Sequence, residues 1–240
     1  MSDPLSRCLA RAAAAGRDGM RRNLKPGILL WLLGLALVLA YYHLPALRPA
    51  YDTVRDWKLR GGFAFSALSS ALCGGLIPFV VELAAGRIPR RGWLAAGAFL
   101  ILFWVYRGVE VDAFYRLQGF CFGNDPGVRT VACKTAADML GYTAFWSIPT
   151  TTLAYFLAHE CGWDFARFRA GLDREMLLVK IPALILAAWA VWAPSVCIIY
   201  SMPAPLQVPL FSVVLCFWVL LVNLMNPAVT KTVTAGNASS

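Results

Sequence analysis

Few residues in this chain could do chemistry, and several of them fall together. Directly after the apolar run "GWLAAGAFLILFWVY" come Arg107, Glu110, Asp112 and Arg116. On a helix, Arg107 and Glu110 stand three apart and Asp112 and Arg116 four apart, both spacings at which side chains meet. The two pairs project to roughly opposite sides, so they do not form one clean polar stripe. Two readings follow. Either the stretch is a helix end at the membrane interface, with its charges paired to each other, or part of it turns inward and lines a hydrated path. Charges within membrane helices are costly and face a cavity or the bundle interior, and clusters of charge tune the selectivity of pores. Lys134 and Asp138, again four apart, repeat the theme at the start of a later apolar segment.

Other chemistries find little support. "AHECGWD", residues 158–164, gathers His159, Glu160, Cys161 and Asp164, but this spacing matches no metal signature and neighbours in a row do not share a helix face. No G-x-S-x-G, H-E-x-x-H or phosphate-binding loop is present. The expectation is therefore a protein without enzymatic activity, cofactor or metal. His43 is a lone interfacial histidine. Seven cysteines are scattered with no C-x-x-C, which argues against structural zinc. Cys73, Cys197 and Cys216 read as small core residues. Cys121 and Cys133 bracket one loop, "CFGNDPGVRTVAC", whose Gly, Asn, Asp and Pro make turns. They could close it as a disulfide in an oxidising compartment, or remain two unpaired thiols.

The elements that must position these groups are set by composition. Of 240 residues, 59% are hydrophobic and only 15% charged, against about 45–50% and about 25% in soluble domains. Both departures point to a multi-pass membrane protein. Six segments approach the ~20 residues needed to cross the hydrocarbon core: about 28–44, 63–82, 93–108, 136–158, 177–200 and 206–224. Backbone groups in lipid must be paired within their own segment, so all six should be helices. The third is short if it stops at Gly108, and can continue into the charged stretch. The fold expected is an all-α bundle of about six membrane helices forming one domain over 28–226, with a basic tail at 1–27 and a flexible tail at 227–240. The basic tail reads as an amphipathic surface helix, with an organelle import peptide as the alternative.

Prolines inside segments two, four and five should kink them unless neighbours repair the lost hydrogen bond. "SALSSALCGG" is rich in small residues that permit close helix contact, as Gly92 with Gly97 does less clearly. The three threonines 150–152 read as self-satisfied packing hydroxyls. The net charge of +9 belongs to loops flanking the helices, where Lys and Arg set orientation and meet anionic headgroups; nothing resembles a nucleic-acid groove. Lys and Arg gather on the side of the N-tail and the second and fourth loops, which puts both termini on the cytoplasmic side or its equivalent.

Several of these residues also stand in an order that resembles a known family. "GVEVDAFYRL" is similar to the glycine-proline, four-residue gap, Trp-Tyr motif of the Mpv-seventeen/PMP-twenty-two family, with Gly108 as the glycine and Phe114-Tyr115 as the aromatic pair. "KTAAD" looks like that family's Lys-x-x-x-Asp-Gln segment, through Lys134 and Asp138. The stretch 188–221 resembles its C-terminal signature, through Trp192, Pro194, Tyr200, Pro203 and Trp218. Val109, Phe114 and Met139 stand where the family carries Pro, Trp and Gln, and Gln207 stands near its arginine. The resemblance covers about 62–224 and implies a distant member of a family of peroxisomal and mitochondrial inner-membrane proteins. It implies a pore or channel-like function for small hydrophilic solutes, lined or supported by Arg107, Glu110, Asp112, Arg116, Lys134 and Asp138. The alternative is a structural membrane protein that scaffolds a partner or lipid. The partners implied are the bilayer and small hydrophilic solutes, with a homo-oligomer left open and no nucleic acid. The host would be an inner membrane, bacterial or organellar.

Overall fold

The structure, a computed structural model, describes residues 4–88 and 92–225. It is 91% helical and holds no strand among the described residues, which makes the chain all-α. Nine α-helices are described: α1 (Pro4–His43), α2 (Arg48–Ser70), α3 (Ile77–Ala84), α4 (Trp93–Phe122), α5 (Val128–Ala136), α6 (Ile148–Tyr155), α7 (Phe165–Gly171), α8 (Ile181–Tyr200) and α9 (Ala204–Met225). Five helical runs among the described residues are long and apolar enough to span a membrane: Leu5–His43, Pro45–Ala84 (broken at Gly62), Trp93–Phe122, Met176–Tyr200 and Ala204–Val222. The segment expected at 136–158 is also helical. Its Asp138, Ser147 and four threonines make it less apolar than the five. Large apolar side chains stand outward throughout, Leu68, Leu94 and Leu102 each about two-thirds exposed, as lipid-facing positions require.

The basic tail is no separate element. It continues without a break into the first apolar segment as the 40-residue α1. The third segment likewise runs on through its charges to Phe122 as α4, so these charges sit within a helix and not at its end. The tail at 227–240 lies outside the described residues.

Three prolines are accommodated in a recurrent way, whereas Pro26, Pro194 and Pro209 lie inside α1, α8 and α9. Pro78, Pro149 and Pro182 are each the second residue of an α-helix, and each helix follows a π-helical stretch: Ala71–Leu76, Ala137–Ser147 and Met176–Lys180. A proline ring clashes with the carbonyl four residues back and offers no N–H. Widening the preceding turn from i→i+4 to i→i+5 bonding relieves both problems.

Within the described residues the chain divides into two compact units, one from 4–28 and 136–194, the other from 29–135 and 195–225. In the first, Gly16 and Gly19 lie where a Cβ would meet Leu186 and Ala187 at 2.9 Å, so α1 and α8 touch closely there. Arg11 grips Glu175 with both guanidinium ends, at 2.6 and 2.8 Å, and the Trp189 indole donates to the Met139 carbonyl at 2.8 Å. Asp164 caps α7 by accepting from the amides of Ala166 and Arg167; that local task accounts for one of the acids in "AHECGWD". In the second unit, Gly74 and Gly75 pack on Trp104 and on the α4 backbone at Ile101, and Gly97 receives the Phe79 ring. The small-residue run therefore does mediate close contact. Gly92, in contrast, is a left-handed turn residue (φ +81°) with nothing near it.

Candidate functional site

All of the charged stretch lies in the second unit, on α4. Its buried positions are Arg107, Gly108, Val111, Asp112, Tyr115 and Gln118, which form one stripe at helical spacing. Arg107 and Asp112 thus share a face. The expectation that the two charge pairs point to opposite sides is corrected: Glu110 and Arg116 flank the stripe from either edge while their partners lie within it. The Arg107 guanidinium donates to both Glu110 oxygens at 2.8 and 3.0 Å, with both side chains largely buried.

Asp112 is the centre of a larger cluster. Its Oδ2 accepts from the Lys58 ammonium at 2.6 Å and the Ser66 hydroxyl at 2.9 Å. Its Oδ1 accepts from Arg116 Nε at 3.1 Å, and Oδ2 takes a longer bond from Nη2 at 3.4 Å. Asp112 is 3% exposed and Lys58 5%, so this is a desolvated pair, held together because each charge is compensated. Lys58 and Ser66 come from α2, which is interrupted at Gly62 (φ +53°, ψ −125°), a backbone conformation that suits glycine alone. The break makes the Gly62 carbonyl an acceptor for Lys58 Nζ at 3.1 Å. Arg116 passes over the Phe63 ring, 4.5 Å from its centroid, a cation–π contact that holds the guanidinium plane.

Gly108 explains how α2 and α4 come so close. A Cβ there would collide with the Ser66 carbonyl oxygen and reach the Ser70 Cβ at 2.8 Å. The motif glycine is therefore the contact point of two helix backbones. Tyr115 of the same motif packs tilted against Tyr200, ring centroids 5.1 Å apart, and meets Phe211 edge-on at 6.3 Å. Phe114 tilts against Tyr115 at 6.5 Å. Lys134, 1% exposed, stands with its ammonium 5.8 Å from the Tyr200 ring centroid, and its carbonyl accepts from Gln118 at 3.3 Å. Residues 115, 134 and 200, picked out from three separate stretches, thus converge.

Other expected residues fall elsewhere. Asp138 is buried in the first unit and accepts from Thr143 at 3.0 Å. Trp192 and Pro194 also belong to that unit, with Pro194 inside α8. Pro203 precedes α9, its carbonyl accepting the Leu206 amide, and Trp218 lies half-buried on α9. Cys121 and Cys133 are exposed free thiols, carried by α4 and α5 respectively.

Lys58 is the residue that sequence reading missed. It counts among the basic residues of the first loop, yet it is helical and buried. No helical register tied it to the polar pair beyond: Ser66 and Ser70, four apart, share a face, but Lys58 lies on the other side of the Gly62 break.

Beside the cluster lies a cavity of about 270 Å³, lined among others by Asp112, Tyr115, Arg116, Asn124 and Gln207. The fold and this buried, ion-paired polar site define a multi-pass, all-α integral membrane protein. Comparison with protein-family models, curated proteins and solved structures finds no match for the chain.

Proposed function

We propose that the protein is a pore or channel-like protein for small hydrophilic solutes, distantly related to the Mpv-seventeen/PMP-twenty-two family and without enzymatic chemistry. The observation that carries this reading is the Lys58–Asp112–Arg116 cluster beside a cavity that Asp112, Arg116, Asn124 and Gln207 help to line, on helices that are otherwise lipid-grade. Buried ionisable groups in a membrane helix are expensive and mark solute or ion paths. The order of motif residues supports the relationship, and Tyr115, Lys134 and Tyr200 meeting in space adds to it. The host membrane in this reading is an inner membrane, bacterial or organellar, with both termini on the cytoplasmic side.

The test is flux of ions and small solutes through purified protein in liposomes, comparing wild type with the Glu110→Gln, Asp112→Asn double variant. Altered ion preference in the variant is the expected result. No flux above empty liposomes, from protein shown to be folded, would end the pore reading.

One observation favours a second reading. The charges pair with each other inside the helix bundle, and Gly108 locks two backbones together, as a purely structural membrane protein would need. That scaffold reading predicts no flux, and a co-purifying protein or lipid instead.

A further inference from the structure

The ion cluster beside the cavity is unbalanced in charge, and the imbalance has a sign. Two cations, Lys58 and Arg116, face one carboxylate, Asp112. The cluster carries one surplus positive charge. Asp112 is the sole acid lining the cavity, and its two oxygens are already engaged by Lys58, Ser66 and Arg116. The next acid along the chain, Asp125, accepts from the Gly127 amide and does not line the cavity. Acceptor capacity on Asp112 is therefore largely committed within the cluster.

Donor capacity is not. Arg116 commits Nε and Nη2 to Asp112 and leaves Nη1, on a side chain that is 55% exposed. Phe63 covers one face of the guanidinium, so its plane is fixed and its edge is available. The Asn124 amide packs its oxygen side on Gly119 and makes no hydrogen bond among the described residues. At about 270 Å³ the cavity lies just below the ~300–1,000 Å³ typical of drug-sized ligands and has room for a phosphate or carboxylate group with water around it. Guanidinium edges match the two oxygens of a phosphate or carboxylate.

We propose that this cavity binds a small oxyanion, a group of phosphate or carboxylate size, through the free edge of Arg116 and the amide of Asn124. The inference names a solute class for the pore reading and rests on that reading for its physiological use. Binding itself can be measured apart from transport. The oxyanion has two sources, free in solution or on a phospholipid headgroup, and the shared chemistry is the same.

The experiment uses the full chain, purified and delipidated in a phosphate-free non-ionic detergent. Inorganic phosphate is titrated in by calorimetry, and in a parallel arm native mass spectrometry reads retention of phosphatidylglycerol added in mixed micelles. Wild type is expected to bind saturably in at least one arm. Arg116→Gln should weaken that binding at least about tenfold, as loss of a charge-assisted contact does, and Arg116→Lys should restore only part of it, since a point charge lacks the fork. Asn124→Ala should weaken it several-fold; because that side chain is exposed, this variant keeps the test valid even if Arg116→Gln fails to fold. Binding in the phosphate arm that the variants lose supports a solution anion. Retention of phosphatidylglycerol that the variants lose supports the same site with a lipid source. Wild type that binds neither probe, or folded variants that bind as wild type does, overturns the proposal. Binding without flux in liposomes would leave this site standing and end the pore reading; flux without binding would do the reverse.

Discussion

Two ion pairs lie on one face of α4, only a turn apart, and they are built on different principles. Arg107 and Glu110 pair within the helix, three residues apart. Asp112 pairs with Arg116 four residues on, but its shorter bond, at 2.6 Å, goes to Lys58, 54 residues back. The first pair forms whenever the helix forms. The second exists only once α2 and α4 have docked. Local pairing therefore stabilises an element, whereas long-range pairing selects a fold, and the two should respond differently to mutation.

The largest effect is expected where the long-range pair is broken. Asp112→Asn leaves the Lys58 charge buried without compensation and should cost about 3–5 kcal/mol, read as a lowered unfolding midpoint in detergent. Removing both partners, as Lys58→Met with Asp112→Leu, should recover most of that loss. A double variant as unstable as the single one would mean that the pair does not couple the helices. Next comes the contact that brings the helices together. Gly108→Ala drives a Cβ into the Ser66 backbone, which cannot swing aside as a side chain can, and overpacking of this kind costs about 1–3 kcal/mol. The same melt reads it, and wild-type stability would dissolve the claim of backbone contact.

Within the local pair the expected change is smaller. Glu110→Gln keeps an acceptor for Arg107 and should cost about 1–2 kcal/mol. A loss as large as that of Asp112→Asn would erase the distinction between the two pairs. The smallest effect belongs to Arg11 and Glu175, whose side chains are 61% and 38% exposed. Arg11→Ala should change stability by about 0–1 kcal/mol, as surface bridges do, and a larger shift would show that this bidentate contact anchors α1.

The same contrast separates what the amino-acid order discloses from what it withholds. The apolar runs disclose the membrane class, because lipid leaves the backbone no alternative to the helix. The i,i+3 and i,i+4 pairs on α4 are equally legible, since helical geometry alone brings Arg107 to Glu110 and Asp112 to Arg116. Lys58 is not legible in that way. "YDTVRDWKLRGG" looks like a basic loop ending in a glycine turn, and nothing local says that its lysine will meet an aspartate two helices later. The glycines mislead for a related reason: Gly62 interrupts α2 without ending it, so a turn signal marks a joint inside a span. The prolines lie midway. Pro78, Pro149 and Pro182 announce a disturbance in their segments, but whether it is met by a kink or a wide turn depends on packing.

Ser66 has a mechanical consequence. Its carbonyl rests on Gly108 and its hydroxyl bonds Asp112, one turn further along the same helix. One residue thus pins α4 at two points on successive turns. Contacts on successive turns set the register of one helix along the other. The Gly62 joint lies just before this doubly held stretch of α2, beside Arg116, so the break in α2 and the contact with α4 are adjacent along the chain.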